Sequence, residues 1–306
     1  MNSIASLEPS TVHGPALPPE ILTDWADLPS WMLTADDSIR WAALATAVLI
    51  LISWLVRHHP DPLQRVPARR SRVTDQFVVL TMLVFWVAMF VLTAATQAFG
   101  SAQEQGVWAG IVVGNGAQIA GAAACLYVAG KTFRGGMGPF LLGPRGIDPQ
   151  RGRTAVILLL ALGLCPLVLE GTIRLVLVMA SDYNFSTHST LVALRDPAQP
   201  GFLTAALWCS AVLVAPVAEE CFFRGIMQTF LVRFFHHRGR AILLSAALFC
   251  AVHFAVPHTV PALFLLGVLI GYLYERTGSL AAPILVHALF NLKTLIWDHF
   301  AVGAGA

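Results

Sequence analysis

Charge is scarce in this sequence of 306 residues, because only 12% of them are Asp, Glu, Lys or Arg. Ordinary soluble domains carry about 25% charged residues. Hydrophobic residues make up 57% of the chain, and its mean hydropathy is +0.70. A single buried helix inside a water-soluble fold cannot produce such values over a whole chain. The composition therefore excludes a soluble globular protein, a disordered protein and a nucleic-acid binder, and it indicates a membrane protein.

The sequence also lacks cysteines at the spacing of metal ligands, and it lacks a basic N-terminal region. The five cysteines lie in or beside apolar stretches without the spacing of metal ligands, so we expect small apolar helix residues rather than disulfides. The first 40 residues contain no Lys and one Arg, Arg40, and so lack the basic region of a signal peptide. We expect an acidic, mostly irregular extracytoplasmic tail over residues 1–40.

Long apolar runs, by contrast, are abundant. A membrane-spanning helix needs about 20 mostly apolar residues. Eight candidate spans meet or approach this length, of which the sixth and seventh are short: Trp41–Val56, Phe77–Ala98, Val107–Ala129, Thr154–Met179, Gly201–Ala218, Ala241–Ala255, Pro261–Tyr274 and Leu280–Trp297. The predicted fold class is an all-α polytopic membrane protein with about eight transmembrane helices.

Basic residues are distributed unevenly between the two sides of these spans. Fifteen of the 19 Lys and Arg residues, Arg224 among them, follow the first, third, fifth and seventh spans, whereas only Arg40 and Arg195 fall on the opposite side. Cytoplasmic loops carry the excess of basic residues in membrane proteins. The sequence therefore predicts a multi-pass protein of the cell inner membrane with both termini extracytoplasmic.

Ionisable residues inside a bilayer are costly and suggest function. Glu219 and Glu220 end the fifth span, and Arg224 lies four residues after Glu220 on the same helical face. For Glu220 and Arg224, an ion pair at the membrane interface is as good an explanation as a functional role. Such a pair does not explain Glu219. Pro216 removes a backbone hydrogen bond just upstream and can open or bend the helix. Glu170 and its neighbour four residues on, Arg174, are expected to form a purely structural ion pair.

Two later spans also bring polar side chains into apolar surroundings. His253 ends the sixth span, while His287 and Asn291 lie four residues apart in the eighth and so share one helix face. Each feature alone is compatible with packing or a helix–helix hydrogen bond. Together they suit a hydrolytic site in which a carboxylate and an imidazole deprotonate a water, and the remaining donors stabilise the oxyanion.

Three motifs on successive helices carry a family resemblance. They are Glu219-Glu220-Cys-Phe-Phe-Arg224, Phe249-Cys-Ala-Val-His253 and His287-Ala-Leu-Phe-Asn291. They match E-E-x-x-x-R, F-x-x-x-H and H-x-x-x-N/D in the same order. Over about residues 154–297 the sequence resembles the CPBP intramembrane proteases, named for CAAX proteases and bacteriocin-processing enzymes.

The resemblance implies a role for each motif residue. Glu219 would be the general base acting with His253, and His287 and Asn291 would form the oxyanion hole. Glu220 and Arg224 would orient the first carboxylate, and Phe249 would pack beside it. The resemblance also implies an endopeptidase that acts on a membrane-associated protein or peptide. Whether that substrate is lipidated and CAAX-like stays open.

Several further expectations follow from this resemblance. The catalytic core would occupy 154–306, after three helices with basic loops over 41–153. No cofactor is expected to be required, although zinc on Glu219, His253 and His287 stays open because two His and a Glu can bind it. Two other functions stay open: a proton-coupled transporter and a non-catalytic protein that gives immunity to a bacteriocin by binding it. The lack of an internal repeat counts against the transporter.

Overall fold

The computed structural model describes residues 28–57, 63, 72–99, 107–133, 135–143, 151–180, 183, 185–196 and 199–304. No β-strand occurs among these residues, which form α-helices joined by short connections. The helices are α1 (Ser30–Arg57), α2 (Asp75–Phe99), α3 (Val107–Thr132), α4 (Met137–Leu142), α5 (Arg151–Met179), α6 (Ser189–Leu194), α7 (Gly201–Cys209), α8 (Ala215–Glu220), α9 (Thr229–Phe235), α10 (Arg238–Ala251), α11 (Val260–Thr277) and α12 (Ala281–Ala304).

The prediction of an all-helical, multi-pass membrane protein is confirmed. Within the described part of the chain, six segments are long and apolar enough to cross a membrane: Ser30–Val56, Asp75–Ala98, Trp108–Thr132, Gly152–Met179, Gly201–Phe235 and Pro257–Thr277. The eight predicted spans were thus an approximate count. The first helix begins at Ser30, inside the segment predicted as a tail, and the rest of that tail, residues 1–27, lies outside the described residues.

The two remaining predicted spans differ from the other six for identifiable reasons. The sixth is a helix of only 14 residues, α10, which is too short to cross a bilayer by itself. The eighth is α12, which has 24 residues but carries His287, Asn291 and Lys293 within its length. These polar residues lower its apolar character, so the helix is long enough to span but is not among the six.

The segment Gly201–Phe235 is continuous but not regular. Two π-helical stretches, Ser210–Val214 and Cys221–Gln228, interrupt it on either side of α8. Each π turn contains an extra residue, and such turns occur often at functional sites. The Glu219-Glu220 pair therefore lies between two places where the regular helical hydrogen-bond pattern changes.

Close helix contacts hold α11 against the elements that carry the site. A Cβ atom on Gly267 would lie 2.9 Å from Cβ of Ala246 in α10, and one on Gly271 would lie 2.8 Å from Gln228 Oε1. These two glycines therefore let the helices approach. Gly110 and Gly114 in α3 have the same spacing, but a Cβ there would meet nothing within 4 Å.

The short helix α4 fastens the segment after α3 to the core. Phe140 is 1% exposed, and its ring lies against Gly225, where an added Cβ would be 2.7 Å from Cε2 of Phe140 and closer still to Cζ. Ser279 Oγ donates to the carbonyl oxygen of Leu141 at 2.9 Å, just before α12 begins. Helix α4 thus packs against Gly225, the residue that follows Arg224.

Candidate active site

Glu220 is the centre of the buried polar group. Its side chain is 0% exposed, and its Oε1 atom accepts from Arg224 Nη1 at 2.9 Å and from His287 Nδ1 at 2.8 Å. A carboxylate can only accept, so the imidazole carries a proton on Nδ1. This single oxygen therefore joins the first and third motifs, which are 67 residues apart along the chain.

Glu219 occupies a different environment from its neighbour. Its side chain is 20% exposed, and its Oε2 atom lies 3.9 Å from His287 Nε2. That separation is too long for a direct hydrogen bond, but one water molecule can bridge two groups so placed. The two adjacent glutamates thus contact the two nitrogens of the same imidazole, one directly and one at a distance that a water can bridge.

Phe249 connects the remaining ionisable groups of the site. The Arg224 guanidinium carbon lies 4.5 Å from the centroid of the Phe249 ring, a cation–π contact in a desolvated place. The same ring lies 5.1 Å from the His253 ring and 5.7 Å from the His287 ring. Phe249 is 0% exposed, so its ring lies inside this group, in contact with one guanidinium and two imidazoles.

His253 has a defined tautomer. Its Nδ1 atom lies 2.9 Å from the Phe249 carbonyl oxygen, and a carbonyl can only accept, so Nδ1 must donate. In the neutral imidazole, Nε2 is then unprotonated and can accept a proton or a hydrogen bond. Neither a direct hydrogen bond nor an ion pair joins His253 to Glu219 among the described side chains.

A connecting segment lies over the turn that carries His253, and no sequence pattern indicated it. Ser186 Oγ donates to the Ala255 carbonyl oxygen at 2.9 Å, and the Phe185 ring lies 5.1 Å from the His258 ring. Burial, and secondarily the neighbouring His253, lower the pKa of His188 at the end of this segment. The contacts join residues 69 or more positions apart, which local patterns do not reveal.

Asn291 lies one turn beyond His287 but has a separate partner. Its Nδ2 atom donates to the Ala211 carbonyl oxygen at 2.8 Å, inside the first π-helical stretch. The nitrogen of a carboxamide carries two hydrogens, so one remains for another acceptor.

The structure therefore brings the sequence-predicted residues into one region, although not all in direct contact. Glu219, Glu220, Arg224, Phe249 and His287 form a contiguous group, with His253 joined to it through Phe249 and Asn291 through α12. The expected position of Arg224 was wrong: it was counted among the cytoplasmic loop charges, yet it is 0% exposed in the site.

A supporting pair of hydrogen bonds repeats the contact of Arg224 one helical turn later. Arg224 Nη2 lies 3.4 Å from the Gly267 carbonyl oxygen, and Gln228 Nε2 donates to the Gly271 carbonyl oxygen at 3.0 Å. Gln228 also donates to Glu275 Oε1 at 2.8 Å. Side chains four residues apart thus bind carbonyls four residues apart, which locks the site helix onto α11 in register.

A second ionic cluster joins α1, α5 and α12 away from the glutamate pair. Glu170 binds Arg174 at 2.6 Å, as the sequence predicted, and it also accepts from Arg40 Nη1 at 2.9 Å. Asp36 binds Arg40 at 2.6 Å and Lys293 at 2.5 Å. Arg40 was expected to lie outside the spans, but it belongs to this helix-joining network.

Metal binding was considered for Glu219, His253 and His287. Across the described ranges, no group of three or more His, Cys, Asp or Glu side chains is placed to hold a metal ion. Nδ1 of each imidazole is engaged, one by the Phe249 carbonyl and one by Glu220, so Nε2 is the nitrogen through which either could bind a metal. The three side chains as placed are not grouped as metal ligands, and zinc stays a hypothesis for a direct test.

An apolar cavity of about 370 Å³ lies beside α12. It is lined by Leu141, Leu213, Ala281, Ile284, Leu285 and Ala288. Two of these residues are close neighbours of His287 in the same helix, and Leu213 follows Ala211 in the π-helical stretch. The cavity thus lies along the helix that carries His287, although none of the predicted site residues lines it.

Comparison with known proteins points to the same part of the chain. A family model described as type II CAAX prenyl endopeptidase Rce1-like matches residues 201–293, the segment that contains all three motifs. The UPF0177 protein YbdI of Lactococcus lactis subsp. lactis (strain IL1403) is 30% identical over 86 residues, which cover 28% of this chain and 45% of that protein. The match thus spans less than half of that relative. No solved structure matches the chain.

The resemblance inferred from the three motifs is confirmed over the part of the chain that contains them. Outside residues 201–293, the helices α1 to α5 contribute the docking of Phe140 and the ion pair of Asp36 with Lys293. Residues 201–293 of this multi-pass membrane protein are therefore similar to the Rce1-like type II CAAX prenyl endopeptidase family.

Proposed function

We propose that this protein is an intramembrane endopeptidase that uses a water molecule activated by Glu219 as its nucleophile. The observation that carries the proposal is the contact of one imidazole, His287, with both glutamates: Nδ1 at 2.8 Å from Glu220 and Nε2 at 3.9 Å from Glu219. Glu220 has Arg224 as a counter-ion and is fully buried, so it serves to hold the imidazole. Glu219 is the partly exposed carboxylate, which a water can reach.

The chemistry follows from this division of roles. Glu219 takes a proton from the water, whose oxygen attacks the carbonyl carbon of the scissile peptide bond. The unprotonated Nε2 of His253 accepts a hydrogen bond from the second O–H of that water, which stays on the oxygen, and so orients it. Glu219 then passes its proton to the departing amine as the carbon–nitrogen bond breaks.

Two groups stabilise the oxyanion of the tetrahedral intermediate. His287, when doubly protonated, donates from Nε2 while Nδ1 keeps its bond to Glu220. The second Nδ2 hydrogen of Asn291 is the other donor, since the first is bound to Ala211. Each such donor contributes about 100- to 1000-fold to the rate in other enzymes.

The substrate class follows from the surroundings of the site. The helices that carry the motifs lie within or beside membrane spans, and an apolar cavity lies along α12. We infer a membrane-associated peptide or protein, with a prenylated CAAX-type C-terminus as the first class to examine. The positive-inside distribution of basic residues supports a site on the cytoplasmic leaflet of the inner membrane.

A comparison of membrane peptides in cells tests this function whatever the identity of the substrate. Cells producing the wild type are compared with cells producing Glu219→Gln, and Glu170→Gln serves as a control that changes a membrane glutamate outside the site. We expect uncleaved substrate to accumulate and a new C-terminus to disappear only with Glu219→Gln. Identical peptide profiles for all three proteins would refute the proposal.

A further inference from the structure

The carbonyl oxygen of Ala211 lacks its usual backbone donors. In an α-helix it would accept from the N–H of Ala215, and in a π-helix from that of residue 216. The N–H of Ala215 donates instead to Ser210, one residue earlier. Residue 216 is a proline and has no N–H to donate. Neither regular pattern therefore satisfies this carbonyl.

The side chain of Asn291 takes the place of the missing donor. Its Nδ2 atom donates to the Ala211 oxygen at 2.8 Å, across 80 residues of sequence. A carbonyl left unpaired in an apolar surrounding costs free energy, so the vacant acceptor holds the carboxamide strongly. One hydrogen of Nδ2 is used in this bond, and the planarity of the amide group then fixes the direction of the second.

We propose that Pro216 is a positioning residue for Asn291: by leaving the Ala211 carbonyl without a backbone donor, it creates the acceptor that orients the carboxamide. Pro216 is buried in α8 and precedes Glu219 by three residues. The same proline therefore shapes the helix that carries the general base and directs the proposed oxyanion donor on α12. The catalytic part of this inference rests on the proposed protease function, whereas the structural part does not.

Nuclear magnetic resonance on full-length protein labelled with ¹⁵N at its four asparagines tests the structural part. The Asn291 side-chain signal is assigned by its loss in Asn291→Ala. With Pro216→Ala or Pro216→Val, residue 216 regains an N–H that competes for the carbonyl. The Asn291 signal should then shift, and its hydrogen exchange should accelerate roughly tenfold. Pro166→Ala, which changes a proline inside α5, should leave the signal in place.

Turnover of a quenched fluorescent peptide ending in a farnesylated CAAX sequence tests the catalytic part. Pro216→Ala should lower kcat about 10- to 100-fold with little change in KM, because the donor is misdirected. In the Asn291→Ala background the same substitution should cause no further loss, since its effect passes through Asn291.

Several results would overturn the inference. The first is an Asn291 signal that does not shift in either position-216 variant. The second is a loss of kcat that is equal with and without Asn291. The third is failure of the position-216 variants to fold, which would assign Pro216 to the fold alone. Absence of cleavage by the wild type, together with a shifted Asn291 signal, would instead count against the protease function and leave the positioning of the side chain supported.

Discussion

His287 donates through Nδ1 to Oε1 of Glu220 at 2.8 Å, and this bond joins the helix of the paired glutamates to the last helix of the chain. The same oxygen accepts from Arg224, so the carboxylate neutralises a buried guanidinium while it orients an imidazole. Glu219 has neither bond. Two adjacent, chemically identical residues therefore have different consequences when they are changed.

Replacement of Glu220 should damage stability, whereas replacement of Glu219 should not. Glu220→Ala leaves the Arg224 charge buried without a counter-ion, which typically costs about 3–5 kcal/mol. Glu219→Ala removes a partly exposed group that makes no direct hydrogen bond to the described residues, and it should cost about 1 kcal/mol or less. Thermal unfolding in detergent measures both, and equal losses would contradict the assignment of the two roles.

Gly225 should not tolerate a side chain. A Cβ atom there would lie 2.7 Å from Cε2 of Phe140 and closer still to Cζ, so Gly225→Ala should destabilise the protein by about 1–3 kcal/mol. Phe140→Leu removes both atoms and should recover part of the loss in the double variant. Gly171→Ala is the matched control, because a Cβ there meets nothing within 4 Å. An undisturbed Gly225→Ala variant would show that α4 does not dock on the site.

The ion pair of Asp36 with Lys293 should fasten α1 to the catalytic core. Asp36 is 3% exposed, so Asp36→Asn leaves Lys293 and Arg40 without their shared carboxylate and should cost about 3–5 kcal/mol. Combining it with Lys293→Met should restore part of that stability. The exposed neighbour Asp37 supplies the control, since Asp37→Asn should change the melting temperature little. Additive losses in the double variant would argue against a direct pair.

Chelation tests whether zinc takes part. Because the described side chains do not group as a metal site, cleavage should persist after dialysis against 1,10-phenanthroline. The measurement is the initial rate on the farnesylated peptide before and after dialysis. A loss of activity that added zinc restores would contradict a mechanism without metal and would assign Glu219, His253 and His287 as ligands.

Local spacing predicted the contacts that lie within one helix. The separation of four residues placed Glu220 with Arg224 and Glu170 with Arg174, and both ion pairs form, at 2.9 Å and 2.6 Å. Apolar run length similarly identified the helices that can span a membrane. Such features depend on helix geometry alone, which repeats every 3.6 residues whatever surrounds the helix.

Contacts between distant helices were not predictable in the same way. The joining of Arg40 to Glu170 depends on how α1 packs against α5, 130 residues away. The bond of Asn291 to Ala211 depends on a π-helical stretch. Pro216 predicted an irregular helix near this point, but not which side chain would bind the freed carbonyl. The glycine pair in α3 has the same spacing as the pair in α11, yet a Cβ on either α3 glycine would meet nothing within 4 Å. Glycine spacing alone therefore does not predict a close contact between helices.

The rate of peptide cleavage by purified protein in liposomes tests the central claim most directly. Wild type and Glu219→Gln are compared on the quenched farnesylated peptide, with folding of the variant verified by its melting temperature. Loss of the general base should lower kcat about 100- to 10,000-fold while the melting temperature stays close to that of the wild type. A folded Glu219→Gln variant that cleaves at the wild-type rate would contradict the account.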